Sequence, residues 1–217
     1  MRFKIYVEGG GERTAQKEQL RLGMSKFLGT LRQRADKCGM KVDIVFCGPR
    51  SKTYEKFYEK FKDEARKSQN GDKIFLLVDS EDSVRSEPHE HLSTREKDKW
   101  DFQDVDPKYI HLMAQCMEAW LVADPDALAQ YYDRGFKSAV LPKTKNLEEV
   151  ASGELLKALE KATQKTKKGK YEKIDHAAEL LKRVDPNKSQ ERCPHCKKFF
   201  ETVSELMRNA GVTQSGA

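Results

Sequence analysis

Five consecutive apolar residues, Ile74-Phe75-Leu76-Leu77-Val78, stand between Asp72-Lys73 and the acidic run Asp79-Ser80-Glu81-Asp82. A strand with one wet face alternates apolar and polar residues. An unbroken run of this length predicts a central strand covered on both sides. Two more strands precede it, Lys4 to Val7 and Val42 to Cys47. Between those two, Leu20, Met24, Phe27, Leu28 and Leu31 recur at helical spacing within Thr14 to Lys37, and Gly39 supplies a stop. Tyr54, Phe57, Tyr58 and Phe61 mark a second amphipathic helix, with Ser51 or Thr53 as its cap. Strand–helix–strand–helix–strand predicts an α/β fold, a mostly parallel sheet flanked by helices. Asp79 to Asp106 reads as a long polar loop. Tyr109 to Met113 reads as a fourth strand, and Met117 to Tyr132 as helix running on through Pro125. Three further apolar stripes, around Leu155, Leu180 and Phe199, are helical in spacing. The chain therefore divides, as a sequence, into an α/β core over 1–135 and a basic helical C-terminal extension over 136–217.

Composition narrows the class. Hydrophobic residues make up 37% and charged residues 35%, with a net charge of +6, so a modest core under a charged surface is expected. The five-residue apolar run is far short of the about 20 residues that a membrane helix needs. The N-terminus reads as a strand, with no signal peptide. Five cysteines, an odd number, fit free thiols in a reducing cytoplasm better than a disulfide framework.

In parallel sheets, functional groups gather at the carboxyl ends of strands. Glu8 follows the first strand and Asp79 closes the third. Glu8-Gly9-Gly10-Gly11-Glu12 lacks the Gly-Lys-Ser/Thr of a nucleotide loop, so the glycines mark a tight turn with room for a ligand. Asp79, Glu81 and Asp82 crowd three carboxylates into four residues. Such a set suits Mg²⁺ or Mn²⁺, and a metal bridging Glu8 and Asp79 is expected if their strands are neighbours. A solvated acidic loop is the plain alternative. Glu118 lies among Met113, Met117, Trp120 and Leu121, so it needs a metal, a proton or an ion-pair partner. Asp124 reads as the cap ahead of Pro125. Arg50 can bind a phosphate or pair with Glu8. Lys165, Lys167, Lys168 and Lys170 can contact phosphates, with Tyr171 stacking on a base. His89, His91 and His111 are candidates for proton transfer. Cys193 and Cys196, with His195 and the distant His176, could hold zinc; the simpler reading is a helix start ahead of Phe199 and Phe200.

A strand ending in Glu-Gly and a later strand ending in Asp-x-Asp/Glu resembles the Toprim domain of topoisomerases, primases and OLD-type nucleases. The resemblance implies a Toprim-like sheet, with Glu8 in acid–base chemistry or the metal site. Asp79 and Glu81 match the family's Mg²⁺-binding pair, Glu81 standing where a second aspartate is usual, and Asp82 assists. More narrowly, VEGGGER, LLVDSED, HLMAQCMEAWLVADPDAL, TKKGKY and CPHCKKFF look like the bacterial domain-of-unknown-function 4276 family. That likeness implies a metal-dependent nuclease acting in phage defence beside an ABC- or OLD-type ATPase, with a homo-oligomer as a further expectation. Its rival is a non-catalytic regulatory or docking subunit of such a complex, with the Trp120 region or the C-terminal helices making the contact. A zinc-containing nucleic-acid binder is a third reading.

Overall fold

The computed structural model describes residues 1–10, 13–66 and 71–215. Its strands β1 (Arg2–Val7), β2 (Lys41–Phe46), β3 (Lys73–Asp79) and β4 (Ile110–Met113) form one sheet in the order β2-β1-β3-β4. Every pairing is parallel. The apolar run sits on β3, inside the sheet, and both of its faces are covered. Phe75 and Leu77 join a cluster with Phe3, Ile5 and Val7, while Ile74, Leu76 and Val78 pack with Phe57, Leu92 and Trp100. The α/β expectation holds, as does the helical C-terminal region.

The expected first helix is two, α1 (Thr14–Phe27) and α2 (Gly29–Lys37), with Leu28 out of helical geometry at ψ 20. Glycine directly after that point is a poor helix former, so the break lies where propensity is weakest. Gly39, at φ +66, ends α2 as expected. Helix α3 (Arg50–Ala65) starts after Pro49 and not from a Ser51 or Thr53 cap; the Thr53 hydroxyl instead donates back to the Pro49 carbonyl at 3.0 Å. The acidic loop contains an unexpected helix, α4 (Pro88–Thr94), which buries His91 and Leu92. Met117 to Tyr132 divides into α5 (Glu118–Val122) and α6 (Pro125–Tyr132). Asp124 caps the second by accepting the Ala127 N–H at 3.2 Å.

Four helices follow: α7 (Ser152–Thr163), α8 (Lys173–Leu181), α9 (Pro186–Arg192) and α10 (Pro194–Ser215). Ala177, Leu180, Phe199 and Val203 from this segment share one apolar cluster with β1. Trp120 is fully buried there, stacked on Phe27 at 5.4 Å between ring centroids. It offers no surface to a partner, contrary to the docking role considered for it. All five cysteines are free. No described helix is long and apolar enough to cross a membrane.

His111 on β4 belongs to this interior. It lies edge-on to Phe199 at 5.2 Å, with Nε2 within 3.0 Å of the Lys108 carbonyl. Burial, helped slightly by the charges of Lys198 and His195, pushes its pKa down from 6.5 to about 4. Between those values the unfolded chain binds a proton that the folded one refuses, so stability falls as pH drops from 6.5 to 4, by about 3 kcal/mol from this residue. His111→Leu is expected to remove that part of the slope, read from urea unfolding across the same pH range.

Candidate functional site

Strands β1 and β3 are neighbours, with Val7 opposite Leu77, so Glu8 and Asp79 stand side by side at the carboxyl rim. Backbone hydrogen bonds hold the start of the turn after Glu8. Gly9 and Gly48 exchange N–H···O bonds of 2.9 and 3.0 Å at φ +114 and +91. A residue with Cβ resists that conformation. Gly11 and Glu12 lie outside the described residues.

Strand alternation sends the two carboxylates toward opposite faces, and each meets a cation of its own, Arg50 and Lys173, where the sequence predicts one bridging metal. Glu8 leans to α3, where Arg50 Nη1 donates to its Oε2 at 2.8 Å. Asp79 leans to α5 and α8: Oδ1 accepts the Met117 N–H at 2.8 Å, and Oδ2 accepts from Lys173 Nζ at 3.1 Å. Arg50 joins the two sides, because the same Nη1 also donates to the Asp79 backbone carbonyl. Its Nε and Nη2 grip the carboxylate of Asp98, both at 2.8 Å, and its guanidinium stacks over Trp100. Arg95 bridges Asp98 and Asp82 at 3.0 and 2.7 Å. Two arginines thus draw the acidic segment over the rim. Of the two roles open to Arg50, a phosphate contact or a pair with Glu8, the structure shows the pair with Glu8.

Glu118, the first residue of α5, is fully buried. Its Oε1 accepts from the Tyr171 hydroxyl at 3.0 Å. Its Oε2 accepts no hydrogen bond and has the Lys173 ammonium at 3.5 Å. Tyr171 is buried, so it cannot stack on a base as expected; its hydroxyl faces inward. The Lys173 side chain is half-exposed, and its ammonium reaches Asp79 and Glu118. Sequence alone marks neither residue as a member of the acidic centre; the only clue is the Lys170-Tyr171-Glu172-Lys173 end of the basic run.

Charges in this space act on one another. Burial, then the charge of Asp79, pushes the Glu8 pKa up to about 7 against the pull of Arg50. Burial also raises Asp79; Lys173 opposes this, and the charges of Glu118 and Glu81 add to it. Burial disfavours the Lys173 ammonium, yet Asp79 and Glu118 outweigh it and raise its pKa. Glu81 is exposed at φ +66, with its N–H bonded to the Gln115 carbonyl at 2.9 Å. Asp82 is turned away to Arg95.

The other candidates lie apart. Lys165, Lys167, Lys168 and Lys170 are exposed on the segment between α7 and α8 that leads into Lys173. Lys168 lies over the Tyr131 ring and Lys170 pairs with Glu160 at 3.3 Å. Cys193 and Cys196 are fully buried at the start of α10, and burial raises both thiols. Beside them His195 Nδ1 faces Glu148 at 2.7 Å, whereas His176 is bonded to the Tyr132 hydroxyl at 3.0 Å. His91 faces the Ser80 carbonyl at 3.1 Å, and His89 Nδ1 is buried without a partner.

Do these residues suit a hard divalent ion? The donors are carboxylate oxygens alone, and Glu118 Oε2 is an orphaned buried acceptor, which is the chemistry Mg²⁺ and Mn²⁺ take. Among the described residues no three ligating side chains are already grouped to hold a metal. Arg50 and Lys173 supply the positive charge instead. The donor set fits such an ion once an oxygen is released from these cations.

No curated protein and no solved structure matches the chain. The model of the family described as domain of unknown function DUF4276 matches residues 7–204, and this chain belongs to that family.

Proposed function

We propose that the protein is a Toprim-like, Mg²⁺- or Mn²⁺-dependent phosphodiesterase that cleaves DNA or RNA, working in phage defence beside an ATPase. One observation carries the reading. Glu8, Asp79, Glu81 and Glu118 come from three separate stretches of chain, yet the charges of Asp79 and Glu81 act on Glu8, and those of Glu118 and Glu81 act on Asp79. Like charges gathered in a buried place cost stability, which is the usual mark of a site kept for function. Asp79 and Glu118, with Glu81 at the edge, would hold the ion. A bound Mg²⁺ or Mn²⁺ supplies activation of water and stabilisation of charge on the scissile phosphate. Glu8, titrating near neutral pH, can hold or release a proton at Oε1 while Arg50 fixes Oε2. The exposed lysines of the 165–170 segment favour the approach of a phosphate backbone.

A second reading, a non-catalytic regulatory or docking subunit, draws support from the neutralisation already present. Arg50 and Lys173 balance the carboxylates, and no ready cation cage exists among the described residues. Incubation with plasmid, linear duplex and tRNA separates the two. Cleavage of at least one substrate is expected with Mn²⁺ and not with chelator. Intact substrates throughout, alone and with the product of the adjacent gene, would leave the docking reading.

A further inference from the structure

We propose that Lys173 is a tethered cation: its ammonium holds the seat between Asp79 and Glu118 that a divalent ion takes, and must leave before that ion binds. This rests on the metal-dependent reading above.

The seat is ill-suited to a permanent ammonium. A lysine has three N–H donors to place. Within this cluster Lys173 makes one hydrogen bond, 3.1 Å to Asp79 Oδ2, and its approach to Glu118 Oε2 is 3.5 Å. That oxygen belongs to a fully buried side chain and accepts no hydrogen bond from any group. A buried carboxylate left this way is costly unless a stronger countercharge completes it. A divalent ion has twice the charge and no N–H groups to place, so the Asp79 and Glu118 carboxylates would hold it, with water completing its shell.

The lysine is also built to move. It is the first residue of α8, and its side chain is 45% exposed along a path to solvent, so leaving the seat requires rotation of the side chain and no repacking. The helix behind it stays fixed, because α8 lies directly on α1 where Gly23 meets the Ala178 backbone. An outward Lys173 joins Lys165, Lys167, Lys168 and Lys170 on the exposed basic segment. Ion binding would therefore add positive charge where substrate phosphates approach, coupling the two ligands through one side chain.

Calorimetric titration with Mn²⁺ alone, without nucleic acid, tests this on the full chain, Lys173→Met and Lys173→Gln. The variants are expected to bind Mn²⁺ at least tenfold more tightly than the parent. In the parent, mass-spectrometric labelling of Lys173 by an amine-reactive ester is expected to rise at least threefold with Mn²⁺, a readout that does not depend on either variant folding. Variants that bind Mn²⁺ no more tightly than the parent, with unchanged labelling, overturn the tethered-cation proposal and leave the metal-dependent reading standing. Binding by none of the three proteins removes the metal site itself, and this proposal with it.

Discussion

Glu8→Gln is expected to abolish metal-dependent cleavage, by about a thousandfold or more, and at the same time to make the protein more stable at pH 8. The second half follows from the position of the group. Burial and the charge of Asp79 lift the Glu8 pKa from 4.5 to about 7. The folded state therefore holds a proton that the unfolded chain has lost, and stability declines as pH rises from 4.5 to 7. Above pH 7 the whole penalty is present, at most about 3 kcal/mol for this displacement. Glutamine keeps an oxygen for Arg50 and carries no charge, so the penalty disappears. Thermal unfolding at pH 8 and pH 5 checks the sign: the variant gains at pH 8 and gains little at pH 5. A residue whose neutral isostere stabilises the fold while ending activity is retained for chemistry. A variant that is instead less stable at pH 8 would make Glu8–Arg50 a structural ion pair and favour the docking subunit. Asp79→Asn is expected to lose cleavage to the same extent.

Gly23→Val is expected to destabilise the protein by about 3 kcal/mol. Gly23 is buried on α1, and a Cβ built there would lie 2.5 Å from the Ala178 carbonyl oxygen and 3.1 Å from its Cα. Those atoms are backbone, so no rotamer change relieves the contact and α8 must shift. For a chain of this size the change corresponds to about 9 °C in melting temperature, read by far-ultraviolet circular dichroism. The consequence reaches the site, because α8 begins with Lys173 and follows Tyr171. Moving it separates the ammonium and the phenol from Asp79 and Glu118. Mn²⁺ binding is expected to change along with stability in Gly23→Val, and Gly23→Ala should show the smaller version of both effects. Unaltered melting in the valine variant would mean that α8 does not rest on α1 as described.

Local patterns along the chain were enough to place the parallel sheet, the central β3, and the two acidic strand ends at Glu8 and Asp79. Each depends on near neighbours: an unbroken apolar run, a helical repeat, a carboxylate one step past a strand. The same local signals missed α4, whose polar composition matches a loop and whose order comes from burying His91 and Leu92 under the sheet. They merged α1 with α2, since the apolar spacing continues across Leu28. They also assigned Tyr171 to nucleic acid, because an aromatic among lysines looks exposed when its partner is unknown. That partner, Glu118, is 53 positions away, and Lys173 is 94 positions from Asp79. No periodicity reports such pairs. They exist because α8 packs on α1 and carries its first turn to the sheet rim. The chain's own order of residues thus determined which strand ends would carry negative charge; only the packed helices decided which cation would answer it, because countercharge acts through space over a few ångströms and not along the backbone.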